Sequence, residues 1–120
     1  MRMRTIVSLL PLLLLAAPTA GAHAFLDHAN PRVGNAVQTA PREVTLWFTQ
    51  DLEPAFSTVE VQDASGARVD SGKASVGPGD RKVMHVSLKP LRPGTYKVSW
   101  RVLSVDTHTT EGTFTFRVGE

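Results

Sequence analysis

A chain of 120 residues with 13 lysines and arginines against 11 aspartates and glutamates has room for one domain with a modest core. It has no cysteine, which excludes disulfides, a thiol nucleophile, a cysteine-linked lipid anchor, zinc–thiolate sites and a blue-copper site with its cysteine ligand. The net charge of +2 is carried by Arg2 and Arg4, and no basic tract beyond them points to nucleic acid or to an anionic membrane.

Met1 to Thr5 hold two arginines and no acid, Ile6 to Ala17 is almost wholly apolar, and Ala20-Gly21-Ala22 supplies small residues at a cut site. This basic head, apolar middle and A-x-A end predict a secretion signal over residues 1–22. The apolar run is shorter than the ~20 residues a membrane span needs, so the mature chain, residues 23–120, is expected to be soluble, with no membrane insertion, and periplasmic or secreted. Cutting after Ala22 frees the α-amine of His23. That amine and Nδ1 of the same imidazole can close a chelate ring on one metal ion, which an internal histidine cannot do. Ala22-His23-Ala24 is a second A-x-A, and a cut after it would discard His23.

The mature chain reads as short strands between turns. Val44–Phe48 alternates, with Val44, Leu46 and Phe48 on one face; Ser57–Gln62 sets Val59 and Val61 together, and Lys82–Leu88 does the same with Met84, Val86 and Leu88. Tyr96–Val102 aligns Tyr96, Val98, Trp100 and Val102, and Thr113–Val118 closes the series. Period-two alternation of this kind marks strands half buried on a core. Asn30-Pro31 to Gly34, Ala64–Gly66, Gly77–Asp80 and Pro90–Gly94 punctuate them, and residues 71–80 look like the most flexible loop. About seven short strands without a convincing helical period predict an all-β Greek-key barrel or sandwich, immunoglobulin-like or cupredoxin-like in outline.

The chain has four histidines. Asp106 and His108 lie two apart after the Tyr96–Val102 strand, so in an extended segment they point to one side. There they can ligate one ion together, or the carboxylate can orient the imidazole. The plain alternative is a turn, with Asp106 bonded to nearby amides and His108 solvated. His85 faces away from Met84 and Val86 and reads as an exposed surface residue. His28 reads as an accessory ligand to His23 or, more simply, as a polar residue opening the Asn30-Pro31 turn. Trp47 and Trp100 read as core or sheet-face residues. No hydrolytic triad, phosphate-binding glycine loop or paired glutamates stand out.

Taken jointly, the segments carry a longer pattern. His-Ala-Phe-Leu leads to Asn30-Pro31 and Gly34, then to Ala40-Pro41-Arg42-Glu43-Val44-Thr45-Leu46-Trp47-Phe48-Thr49. Pro93-Gly94-Thr95-Tyr96-Lys97-Val98-Ser99-Trp100-Arg101-Val102 follows, then Ser104-Val105-Asp106-Thr107-His108 and Gly112-Thr113-Phe114-Thr115-Phe116. This resembles the copper-resistance CopC family of small secreted β-barrels over essentially the whole mature chain. The resemblance implies one Cu(II) per chain, bound by the amine and imidazole of His23 and by Asp106 and His108. Three nitrogens and one oxygen suit the tetragonal preference of Cu(II), and the Irving–Williams order favours copper at such a site. Some members carry an acidic residue where this chain has the neutral Gln50, so any fourth-ligand role there passes to water or is lost. Others hold Cu(I) in a methionine-rich loop, whereas Val59 to Ala74 here contains no methionine, and Met84 reads as core; the chain resembles the Cu(II)-only kind. The expected function is a periplasmic carrier or buffer in copper homeostasis and resistance, without catalysis. The partner implied is an inner-membrane copper transport protein, with which the family is often found. The alternatives are a copper-dependent oxidative enzyme with a histidine-brace-like site and a metal-free immunoglobulin-like module.

Overall fold

The computed structural model describes Met3, Thr5 and residues 23–119, so the expected secretion signal lies almost wholly outside the described residues. The chain forms β1 (Leu26–Asn30), β2 (Ala36–Val37), β3 (Glu43–Phe48), a single 3₁₀ turn (Pro54–Phe56), β4 (Thr58–Gln62), β5 (Ser75–Val76), β6 (Val83–Ser87), β7 (Gly94–Leu103) and β8 (Thr109–Val118). They make two four-stranded sheets, in the orders β1-β3-β6-β5 and β2-β8-β7-β4. Every pairing is antiparallel except that of β2 with β8. The protein is therefore a β-sandwich, as the alternation predicts. No helix among the described residues is long and apolar enough to cross a membrane.

The five alternating segments supply the core. Val44, Leu46 and Phe48 from β3 and Met84 and Val86 from β6 meet Val59 and Val61 from β4, Tyr96, Val98 and Val102 from β7, and Phe114, Phe116 and Val118 from β8. Burying each such side chain contributes about 1.5–3 kcal/mol. Without a disulfide, this packing holds the sheets together. Trp100 is only half buried. Its indole lies across Gly112, its partner on β8, where a Cβ would sit 2.6 Å from Trp100 Cζ2. It meets Phe48 edge-on at 5.2 Å, which seals one end of the core.

Three features differ from the sequence reading. The sandwich has eight strands rather than about seven, because β1, β2 and β5 are too short or too polar to alternate. In β1 only Ala29 is buried, and the register slips between Leu26 and His28. Residues 71–80, read as a loop, contain β5, which pairs with β6 through Ser75–His85 and Val76–Met84. His85 faces out of the core but is half buried rather than exposed: its Nδ1 lies 3.1 Å from Glu43 Oε1 and 3.3 Å from Thr45 Oγ1.

One buried charge belongs to the framework. The Asp70 side chain is fully buried. Oδ2 accepts from Val61 N at 2.8 Å and Oδ1 from Gly72 N at 2.7 Å, while Arg68 Nε donates at 3.0 Å to Oδ2. Burial alone would raise its pKa, but the Arg68 hydrogen bond, the two amides and the Arg68 charge outweigh it, so the pKa lies below its usual value.

The short run after β3 crosses to the other sheet and sets up one end of the sandwich. Leu52 bridges to Ser104, Glu53 N donates to Leu103 O at 2.8 Å, and Val105 N donates to Asp51 O at 3.0 Å. The loop after β7 is thereby pinned beside the start of β1.

Candidate metal centre

Two chain segments meet at that end. The first is the arm His23–Phe25. Ala24 is fully buried in the core, and its carbonyl accepts a hydrogen bond from Thr110 Oγ1 of β8. Phe25 N donates to Thr49 Oγ1 at 2.9 Å, Thr49 N donates to Phe25 O at 2.9 Å, and Thr49 Oγ1 donates to His23 O at 3.3 Å. The arm thus extends the β1–β3 ladder and is gripped from the opposite sheet as well.

The second segment is the turn Ser104–His108. Ser104 is fully buried, its N–H donates to His108 O at 2.9 Å, and Thr107 N donates to Ser104 O at 2.9 Å. Thr107 takes a φ of +75°, an outlier for a β-branched residue, and this reversal brings His108 back over Ser104. The Ser104 hydroxyl is bonded to Asp106 Oδ1, lies 3.1 Å from His108 O and accepts from His108 N at 3.4 Å. That hydrogen bond from Ser104, with the nearby His108 charge acting the same way, holds the Asp106 carboxyl below its usual pKa despite slight burial. Asp106 Oδ2 lies 3.5 Å from His108 Nδ1, so the carboxylate stands on the Nδ1 side of the ring.

The two segments bring His23 and His108 together, with ring centroids 4.2 Å apart and planes at 85°. Two imidazoles bound side by side to one ion at metal–nitrogen distances of about 2.0 Å would have centroids roughly 4.5 Å apart, so the spacing suits adjacent ligands. Asp106 flanks the pair. Among the described residues no group of three His, Asp or Glu side chains is already placed to hold an ion. The side chains brought together here are two apposed imidazoles and, beside them, a carboxylate bonded to Ser104. Phe25 stands edge-on to His23 at 6.1 Å and is half exposed, leaving the pair an apolar flank.

His28 is engaged elsewhere. It stacks on Trp47, its cross-strand partner, at 4.3 Å and 10°, and its Nδ1 lies 2.6 Å from Asp27 Oδ2. His85 is held by Glu43 on the outer face of its sheet. At the position of Gln50 it is the preceding residue, Thr49, that bonds to the site's backbone. Nothing in the sequence singles out Thr49, Ser104 or Thr110. A hydroxyl beside a strand is ordinary there, and only the fold reveals which main chain it meets.

A mostly antiparallel β-sandwich carries an apposed histidine pair at one end, built from the His23–Phe25 arm and a D-x-H turn. The chain belongs to the CopC domain family, whose model matches residues 26–119. It is 37% identical over 105 residues to protein YobA of Escherichia coli (strain K12), covering 87% of this chain and 85% of that protein. It is 35% identical over 111 residues to copper resistance protein C of Pseudomonas syringae pv. tomato, covering 88% of this chain and 87% of that one. The crystal structure of CopC from Methylosinus trichosporium OB3b is similar with a TM-score of 0.75 and 33% identity, over 80% of this chain and 93% of that one. Membership of this copper-resistance family ties the protein to copper.

Proposed function

We propose that this protein is a periplasmic carrier or buffer that takes up one Cu(II) ion as cargo, with His23, His108 and Asp106 as its protein ligands, and that it is not an enzyme. The observation that carries the reading is the apposition of His23 and His108, residues far apart in sequence, at a spacing that suits adjacent imidazole ligands. The α-amine of His23, freed by cleavage after Ala22, supplies the third nitrogen. The buried position of Ala24 and its bond to Thr110 favour that cut over one after Ala24, which would remove a core residue along with His23. Copper resistance and copper transport are the named roles of relatives such as copper resistance protein C, which supports handling of the ion rather than turnover of a substrate. An inner-membrane copper transport protein is the partner we propose for delivery. Ligand protonation competes with metal, and an α-amine has an unperturbed pKa of about 7.7–8, so uptake weakens as pH falls.

The test is intact mass of the secreted protein followed by Cu(II) titration of that form and of one bearing a single extra residue before His23. The native form should bind one equivalent and the extended form should lose most of its affinity. Equal affinity in the two would remove the amine from the site.

A further inference from the structure

The arm that carries His23 is an unusual place for a ligand, because chain termini and the ends of edge strands fray. Here the arm is tied down from both sheets by hydroxyl groups outside the donor set. Thr49, directly after β3, accepts from Phe25 N and donates to His23 O; Thr110, in β8, donates to Ala24 O. Thr110 lies two residues beyond His108, so one short stretch of chain both presents His108 and grips the residue next to His23. Thr49 comes from the sheet containing β1, Thr110 from the one containing β7. The arm therefore closes the mouth between the two sheets with His23 at its tip, 4.2 Å from His108.

We propose that Thr49 and Thr110 are the positioning residues of the metal centre: their hydroxyls hold the arm in the docked state, so that His23 already stands beside His108 before an ion arrives. The inference rests on the Cu(II) reading of that pair, but its first consequence needs no metal. Removing either hydroxyl frees the backbone groups of His23–Phe25 to exchange with water, and the docked arm becomes one state among several. If the docked fraction falls to about a tenth, apparent affinity falls about tenfold, because binding is diluted by the unproductive states. The ligands themselves are unchanged, so the site that does form keeps its donor set.

The experiment compares the secreted protein with Thr110→Val, Thr49→Val, Thr110→Ser and, as a control, Thr113→Val, whose side chain is exposed on β8. Valine keeps the β-branched shape and puts a methyl in place of the hydroxyl, so the hydrogen bond is lost with little change of shape. Without metal, hydrogen exchange at the Phe25 amide should quicken in both arm variants and stay slow in Thr110→Ser and Thr113→Val. With Cu(II), affinity should fall about tenfold in both arm variants, recover in Thr110→Ser, and leave the electron paramagnetic resonance pattern of the bound ion in place. Unchanged Phe25 protection in Thr49→Val and Thr110→Val overturns the proposal whatever the copper result. Unchanged affinity in both, while His108→Ala weakens binding, overturns it as well. Failure of the wild-type chain to bind Cu(II) defeats the metal reading instead and leaves the exchange arm to judge the strap. If Thr110→Val does not fold, Thr49→Val carries the same comparison.

Discussion

Replacing Asp70 with alanine should cost this domain a large part of its stability, and the size can be worked from the contacts. Val61 is fully buried, so losing the carboxylate orphans its N–H at a cost of about 1–3 kcal/mol. Gly72 is exposed and its N–H finds water, which limits that loss to about 0.5–1 kcal/mol. Arg68 is about half exposed, at 47%, so losing its ion pair adds about 0–1 kcal/mol after screening. The sum is about 1.5–5 kcal/mol, which for a domain of this size lowers Tm by roughly 6–40 °C. Urea unfolding followed by tryptophan fluorescence measures it. The pH dependence checks the cause. Asp70 has a folded pKa below the ordinary aspartate value of 3.8, so its stabilisation is fully present above the unfolded pKa and is lost as pH falls through the folded pKa. The gap between wild type and Asp70→Ala should therefore be full at neutral pH and shrink below pH ~4. Asp63 and Asp106, whose pKa values are also lowered, are present in both proteins and cancel. A loss under about 1 kcal/mol at neutral pH, or a gap independent of pH, would refute the reasoning.

Two further outcomes are expected. His108→Ala should weaken Cu(II) binding at least tenfold while His85→Ala, whose ring is committed to Glu43, leaves it within about twofold; isothermal titration with a competing chelator separates them, and equal losses would mean the site lies elsewhere. Ascorbate and a Cu(I)-selective chelator should strip the metal from the loaded protein without unfolding it, because Met84 is buried in the core and the proposed ligands are nitrogen and carboxylate. Retention of Cu(I), read by metal analysis after desalting, would reveal a soft site, with Met84 the first residue to replace.

The β-sandwich was legible wherever a strand is buried on one face and wet on the other. Tyr96–Val102 and Thr113–Val118 repeat with period two because each lies between core and solvent, and β7 and β8 contain those residues. The edge strand β1 was not legible, since Asp27 and His28 both point to water and a register slip breaks the alternation. At the centre, the spacing of Asp106 and His108 could suggest that they work together, and they do share one turn with Oδ2 3.5 Å from Nδ1. Composition and spacing could not bring His23 to His108, for that depends on how the two sheets close. Nor could they pick out Thr49, Ser104 or Thr110, whose partners are main-chain atoms or a neighbouring carboxylate. Alternation tells which way the His85 side chain faces, not whether Glu43 and Thr45 will crowd it.

β8 starts beside the histidine pair and runs for ten residues before ending at Val118, about 30 Å away along the strand. Its far end pairs with Gly94, at the opposite pole from His108. The two ends of the domain are thus unequal as points of attachment. A tag, a surface or a second protein joined beyond Val118 leaves the histidine pole facing outward, whereas under the proposed binding mode anything left ahead of His23 would occupy its α-nitrogen. Held by its last strand, the protein would act as an oriented receptor, its histidine end presented to whatever offers or takes copper.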